Sequence, residues 1–277
     1  MDERNVILVT WDFTEKSEFA YENAVLAASN LRSDIIFLHI AKKESEVKSL
    51  EERLNGVIAE KYADRTPKPK AFVKVGSIFT AIGETAEELN ARMVFMGTHG
   101  IKGSQKFFGS WALKVIAHTK VPFIVVQDAP KQNQFKDIVF PINYRKENKE
   151  SINWIGFFSK YFNSNIHLFK AKHTDSNFVK GVDSNMLFLT RNFKNKGIDH
   201  IVVEAPGQTD FVKETVDYAQ KINAGSLLVM TTKDIGITDY MLGAQEQYII
   251  ANSFNIPVIC INPRPAKIGG SFSTSGS

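Results

Sequence analysis

The chain of 277 residues has the length of two ordinary domains, and its 43% hydrophobic and 23% charged residues exclude a disordered or fibrous protein. Its 34 basic and 30 acidic residues are interspersed, so the net charge of +4 offers no basic block of the kind that grips nucleic acid. Apolar runs are strand-sized and the first residues read Met-Asp-Glu-Arg-Asn, which predicts no membrane span, no signal peptide and a cytoplasmic protein.

The first half alternates strand and helix patterns. Asn5–Thr10 is a β-rich run, followed by a helical face carrying Ala20, Ala24, Val25, Ala28 and Leu31. Asp34–Ile40 is a second strand. Leu50, Leu54, Val57, Ile58 and Tyr62 then mark an amphipathic helix across Glu46–Asp64. Pro67 and Pro69 break it, Ala71–Val75 is a third strand ending at Gly76, and Ile78–Leu89 is helical. A fourth strand, Met93–Met96, a glycine-bearing loop, a helix from Trp111 to His118 and a strand Val121–Gln127 complete the half. Strands alternating with helices imply parallel pairing through right-handed crossovers, hence a doubly wound α/β sheet with helices on both faces.

The polar, proline-bearing run 128–136 places a boundary between a first domain, 1–128, and a second, 136–264, which repeats the rhythm. Ile138–Ile142, Asn165–Lys170, His200–Glu204, Ser226–Thr231 and Pro257–Asn262 read as its strands. The helices between them carry Ile152, Ile155, Phe158 and Phe162, then span Asn177–Lys194 and Asp210–Ile222. The remaining 265–277 ends in a Gly/Ser-rich stretch expected to be disordered. Lone Cys260, in an apolar run, permits no internal disulfide and reads as a small buried hydrophobe.

Gly97-Thr98-His99-Gly100, followed after eight residues by Gly109-Ser110, joins a strand to a helix. Glycines there let the backbone approach a ligand closely, and a helix N-terminus favours phosphate. This reads as a nucleotide-phosphate cradle, although it is neither a Walker A loop nor a G-x-G-x-x-G fingerprint. A tight turn with Ser110 as helix cap would explain the same residues.

The stretch GTHGIKGSQKFFGSWALKVIAHTKVPFIVV, together with the opening VILVTWDFT, resembles the universal stress protein family. That family's ATP-binding pattern is G-2x-G-9x-G-(S/T), a helix and a strand beginning at a V-P step; here the loop is one residue shorter. The resemblance implies two tandem, Rossmann-like, five-stranded sheets, and ATP with magnesium, or AMP or ADP, as ligand. On it, Thr10 and Ile40 would wall the adenine, Met96 would offer its backbone, and Asp12 would serve the ribose or a phosphate-bound magnesium ion. Gly97, Gly100 and Gly109 would present amides to phosphates and Ser110 a hydroxyl, with His99 meeting phosphate or solvent. The shortened loop and a Trp111 indole filling space near the ribose or phosphates would suit the alternative, a scaffold that has given up nucleotide. Asp12 also suits a plain turn or helix-capping role.

Matching the halves pairs Asp12 with Asn143, Gly97 with Thr231, Gly100 with Asp234, Gly109 with Gly243 and Ser110 with Ala244. It also sets Leu38-His39-Ile40 against Ile166-His167-Leu168. One competent nucleotide site, in the first half, is therefore expected, with the second half an interaction or structural module. No nucleophile-base-orienter set, no metal-ligand spacing among the histidines and no H-x-G-H or S-G-G-x-D-S motif is present, so a binding protein is expected rather than an enzyme. The apolar closing strands Phe123–Val126 and Val258–Ile261 need a cover. The resemblance implies that such strands pair across a two-fold axis, which a tandem chain would satisfy internally as a pseudo-dimer, and two chains could associate further.

Overall fold

The computed structural model describes residues 5–98, 115–116, 121–130, 134–231 and 244–262, with the side chains of 244–246 set aside. Strands β1 (Val6–Thr10), β2 (Asp34–Ala41), β3 (Lys70–Val75), β4 (Ala91–Gly97) and β5 (Phe123–Val126) alternate with helices α1 (Glu15–Leu31), α2 (Val47–Lys61) and α3 (Ile78–Glu88). The second half has β6 (Asp137–Ile142), β7 (Asn165–Lys170), β8 (His200–Glu204), β9 (Ser226–Met230) and β10 (Val258–Ile261). Its helices are α4 (Ile152–Phe162), α5 (Ser176–Lys196), α6 (Phe211–Lys221) and α7 (Ala244–Ile250).

Both halves fold into one ten-stranded sheet of order β3-β2-β1-β4-β5-β10-β9-β6-β7-β8. Within each half every pairing is parallel, and the halves meet at the antiparallel pair β5–β10, where Ile124 faces Ile259. The two closing strands thus cover each other's edge. All four side chains of each are buried, Cys260 among them. β1 lies between β2 and β4, and β6 between β7 and β9, so each half has a switch point at the carboxyl ends of its strands.

Two apolar layers flank the sheet. On one face α1, α2, α4 and α5 pack over Ile7, Val9, Phe37, Phe95, Ile138, Phe140 and Ile166. On the other, α3 and α6 cover Leu8, Leu38, Val94, Val139, Phe169 and Leu227. The aromatic run on α4 belongs chiefly to the first layer, with Phe158 fully buried and Tyr161 at the rim.

Register corrects two of the expected correspondences. β1 and β6 superpose Val6 on Asp137, which makes His39 the counterpart of Lys170 and not of His167. His167 instead lies mid-strand on the α6 face, with Nδ1 against the Tyr218 hydroxyl at 2.9 Å. In the same way Met230, not Thr231, stands at the position of Gly97. Thr98 and Thr231 are true equivalents, donating their amides to Val126 and Ile261 at 2.8 and 2.9 Å. Apolar residues occupy most positions of these strands, so a shift of one or three residues leaves the pattern intact and only hydrogen-bond register fixes the match.

Candidate functional site

Three of the residues picked from sequence converge. Thr10 ends β1, and Ile40 and Met96 are the penultimate residues of the adjacent strands β2 and β4; all three lie on the α3 face, each half-buried. Side chains alternate along a strand, so Thr10 shares the face of Leu8, and Phe79 and Ile82 of α3 flank the same layer. The result is a mixed apolar and hydroxyl-bearing shelf at the switch point.

Gly97 points to the opposite face, where its neighbour in register Phe95 joins the α1 layer. A Cβ there would lie 1.9 Å from the Lys16 carbonyl oxygen of α1. The glycine is therefore required by the first turn of α1, whatever the loop beyond it holds. Lys16 locks the approach by donating from Nζ to the Gln127 carbonyl oxygen at 2.8 Å.

Asp12 takes the turn role, two residues ahead of Thr14, the N-cap of α1. Its Oδ1 accepts from the Thr14 amide at 3.0 Å, the Thr14 hydroxyl at 2.7 Å and the Ser17 hydroxyl at 2.6 Å. Ser17 Oγ in turn accepts the Asp12 amide at 2.9 Å. Asn143 does the same in the second half: its Oδ1 accepts from the Arg145 amide at 2.9 Å and from Asn148 Nδ2 at 3.1 Å. An uncharged amide makes the matching turn, so the geometry asks for an acceptor and not for a charge. Among the described residues no group of three or more His, Cys, Asp or Glu is placed to hold a metal ion.

Beside this turn the chain builds an aromatic corner that the sequence reading missed. Trp11 is buried and stacks on Phe37 with centroids 4.2 Å apart, edge-on to Tyr62. Phe13 adopts φ 65°, a left-handed conformation rare for a bulky residue, and turns its ring to His39 at 5.0 Å. The Arg53 guanidinium lies 3.8 Å from the Phe13 centroid, and His39 Nδ1 donates to the Trp11 carbonyl oxygen at 2.6 Å. No local signal links Arg53 on α2 to Phe13; only the packing of α2 over β2 does. His99, Gly100, Gly109, Ser110 and Trp111 lie outside the described residues, as do the pairings of Asp234 and Gly243.

The second half's mouth is different. Met230, 8% exposed, takes the place of Gly97, and the segment matching the first turn of α1 runs as a 310 turn, Lys146–Ser151, before α4 begins. A side chain has replaced the backbone that presses on Gly97. Asn185 Nδ2 donates to the carbonyls of Asn143 and Arg145, both at 2.8 Å, and holds that turn down. The cavity left among Pro141, Asn143, Arg145, Thr215, Met230 and Thr231 measures about 50 Å³. Small-molecule sites run to several hundred cubic ångströms, so this one suits a few waters.

Residues 3–127 match the model of the "Universal stress protein family". The chain carries a universal stress protein domain. The curated protein "Universal stress protein G" of Shigella flexneri is 35% identical over 77 residues, which are 28% of this chain and 54% of that protein, and the Escherichia coli O157:H7 protein of the same name matches equally. The chain thus spans about half the length of these relatives. A universal stress protein from Archaeoglobus fulgidus DSM 4304 matches at TM-score 0.70 and 17% identity, over 94% of this chain and 97% of that one. A protein of unknown function from Pseudomonas aeruginosa PAO1 follows at TM-score 0.61 and 13% identity, over 94% and 93%. The universal stress protein fold therefore extends across both halves, while the family's sequence pattern matches the first.

Proposed function

We propose that the amino-terminal half binds an adenine nucleotide, ATP in the first instance, and that the protein is a binding and regulatory member of its family rather than an enzyme. The observation that carries this reading is the shelf of Thr10, Ile40 and Met96 at the carboxyl end of a parallel sheet, next to the Gly97–Ser110 segment. The adenine would lie on the shelf, the amides of that segment would take the phosphates, and magnesium would come with them. The two-domain division at 128–136 belongs to the same reading, with the carboxyl-terminal half supporting the first and holding no nucleotide. Its 50 Å³ cavity and Met230 support that division of labour.

Titration with a fluorescent ATP analogue tests the proposal. Saturable binding, displaced by unlabelled ATP and weakened about tenfold or more by Met96→Glu, is the expected result, since a carboxylate on the shelf repels the nucleotide. Arg145→Ala, at the small cavity, leaves binding unchanged. No binding in the presence of magnesium overturns it. The reading without nucleotide, a paired scaffold, draws on the packing reason for Gly97 and predicts that outcome.

A further inference from the structure

The ends of the ten-stranded sheet are treated differently. At β3 the outer strand is shielded by charge: Lys70 pairs with Asp34 at 2.9 Å and Lys74 with Glu88 at 2.6 Å, and Pro67 and Pro69 precede the strand. Lysines and prolines on an edge discourage pairing with another chain. At the other end β8, His-Ile-Val-Val-Glu, has a neighbour on one side among the described residues, and Ile201 and Val202 are each 50% exposed.

The register of β8 decides what its open side offers. Ile166 donates to Asp199 and Ala205 to Lys170, so the odd-numbered residues bond inward to β7. The alternation of a parallel ladder then turns the N–H and C=O groups of His200, Val202 and Glu204 outward. A second β8, running antiparallel about a two-fold axis through Val202, meets all of them. Val202 pairs with its own copy, His200 with the partner's Glu204, and Ile201 with the partner's Val203. Each pair of outward residues closes both of its main-chain bonds. The side chains also match: an imidazole faces a carboxylate at each end, and β-branched residues face one another between.

We propose that β8 is a self-association edge through which two copies of the chain join their sheets. A second copy fits because the strand is complementary to itself under the two-fold. Five residues bury little area, so the dimer is reversible and concentration-dependent.

Sedimentation velocity over a concentration series tests this on the full chain. The wild-type protein is expected to dimerise. Val202→Pro removes an outward N–H that an edge strand can spare and weakens the dimer about tenfold or more. His200→Glu sets like charges opposite each other at both ends and weakens it similarly, and adding Glu204→Lys restores it. A wild-type monomer at every concentration overturns the proposal, as does a dimer that both single substitutions leave intact. Monomers whose β8 amides exchange slowly also overturn it, because another segment of the same chain then covers the strand.

Discussion

Gln127 and Asn262 are counterparts one residue beyond β5 and β10, and each reaches across the junction between the halves. Gln127 Nε2 donates to the carbonyls of Ile250 and Asn252, both at 3.2 Å, and Asn262 Nδ2 to that of Ile116 at 2.6 Å. The strand pair thus carries a polar clamp at both ends, and the clamp follows the same two-fold symmetry as the sheet. Gln127 is buried, so Gln127→Ala leaves two carbonyls without their donor and costs about 1–3 kcal/mol. Urea unfolding measures it; a change within error would mean that water replaces the amide.

Asp12→Asn separates structure from ligand binding. Because Asn143 makes the matching turn, the substitution should leave the unfolding midpoint nearly unchanged, while Asp12→Ala costs about 1 kcal/mol through the lost turn hydrogen bonds to Thr14 and Ser17. If Asp12 also meets a nucleotide-borne magnesium ion, Asp12→Asn weakens ATP binding with magnesium present and not with EDTA. Equal affinities in both media restrict Asp12 to building the turn.

Gly97→Ala should destabilise the protein by about 3 kcal/mol or prevent folding, since the new methyl would overlap the main chain of Lys16. Circular dichroism and thermal melts come before any binding assay on this variant. A stable Gly97→Ala protein would mean that α1 can shift outward. Binding defects from substitutions at this glycine say nothing about nucleotide unless folding is shown first.

Glu214 gives the carboxyl-terminal half an acid-sensitive fastening. Burial pushes its carboxyl upward, but the amides of Thr209, Gly207 and Gln208, at 2.9, 3.0 and 2.6 Å, and the nearby Lys172 outweigh this and lower the pKa. A lowered folded pKa contributes stability above the unfolded value, near 4.5, which is lost as pH falls through the folded one. Glu214→Gln should therefore lower stability at neutral pH, by about 1–3 kcal/mol, and flatten the acid limb of the stability profile. Parallel profiles for the two proteins would remove Glu214 from the acid transition.

Tyr21 and Tyr62 respond at the other end of the pH scale. Burial pushes the Tyr21 hydroxyl up to about 12 and that of Tyr62 higher still. The folded state keeps both protonated, so stability falls as pH rises past the unfolded tyrosine value near 10. Absorbance titration should show two tyrosines that ionise only as the near-ultraviolet dichroism of the Trp11 stack collapses. Early, reversible ionisation of all seven would contradict their burial.

Alternating patterns revealed the doubly wound halves, because buried parallel strands are continuous apolar runs bounded by breakers, while the β5–β10 junction was legible only through the family resemblance. Thr10, Ile40 and Met96 were legible as site residues through the resemblance, and strand geometry brings them together. Gly97 illustrates what was not legible. A glycine required by a neighbouring helix and one required by a ligand look identical in one dimension. The Phe13–His39–Arg53 corner was hidden because its members are far apart in the chain and none is unusual alone. α1 begins at Glu15, ahead of the apolar pattern at Phe19, because its first turn is set by the hydrogen bonds of Asp12 to Thr14 and Ser17 and not by apolar burial.

Covalent joining of the halves has an evolutionary consequence. In an assembly of two identical chains, a substitution that fills one mouth fills the other as well. Here the two halves carry Gly97 and Met230 at matching positions, so the two mouths differ within one molecule. The strands of the lobes run in opposite directions, and the altered mouth opens at the far end of the molecule. A change at one mouth therefore does not obstruct the other.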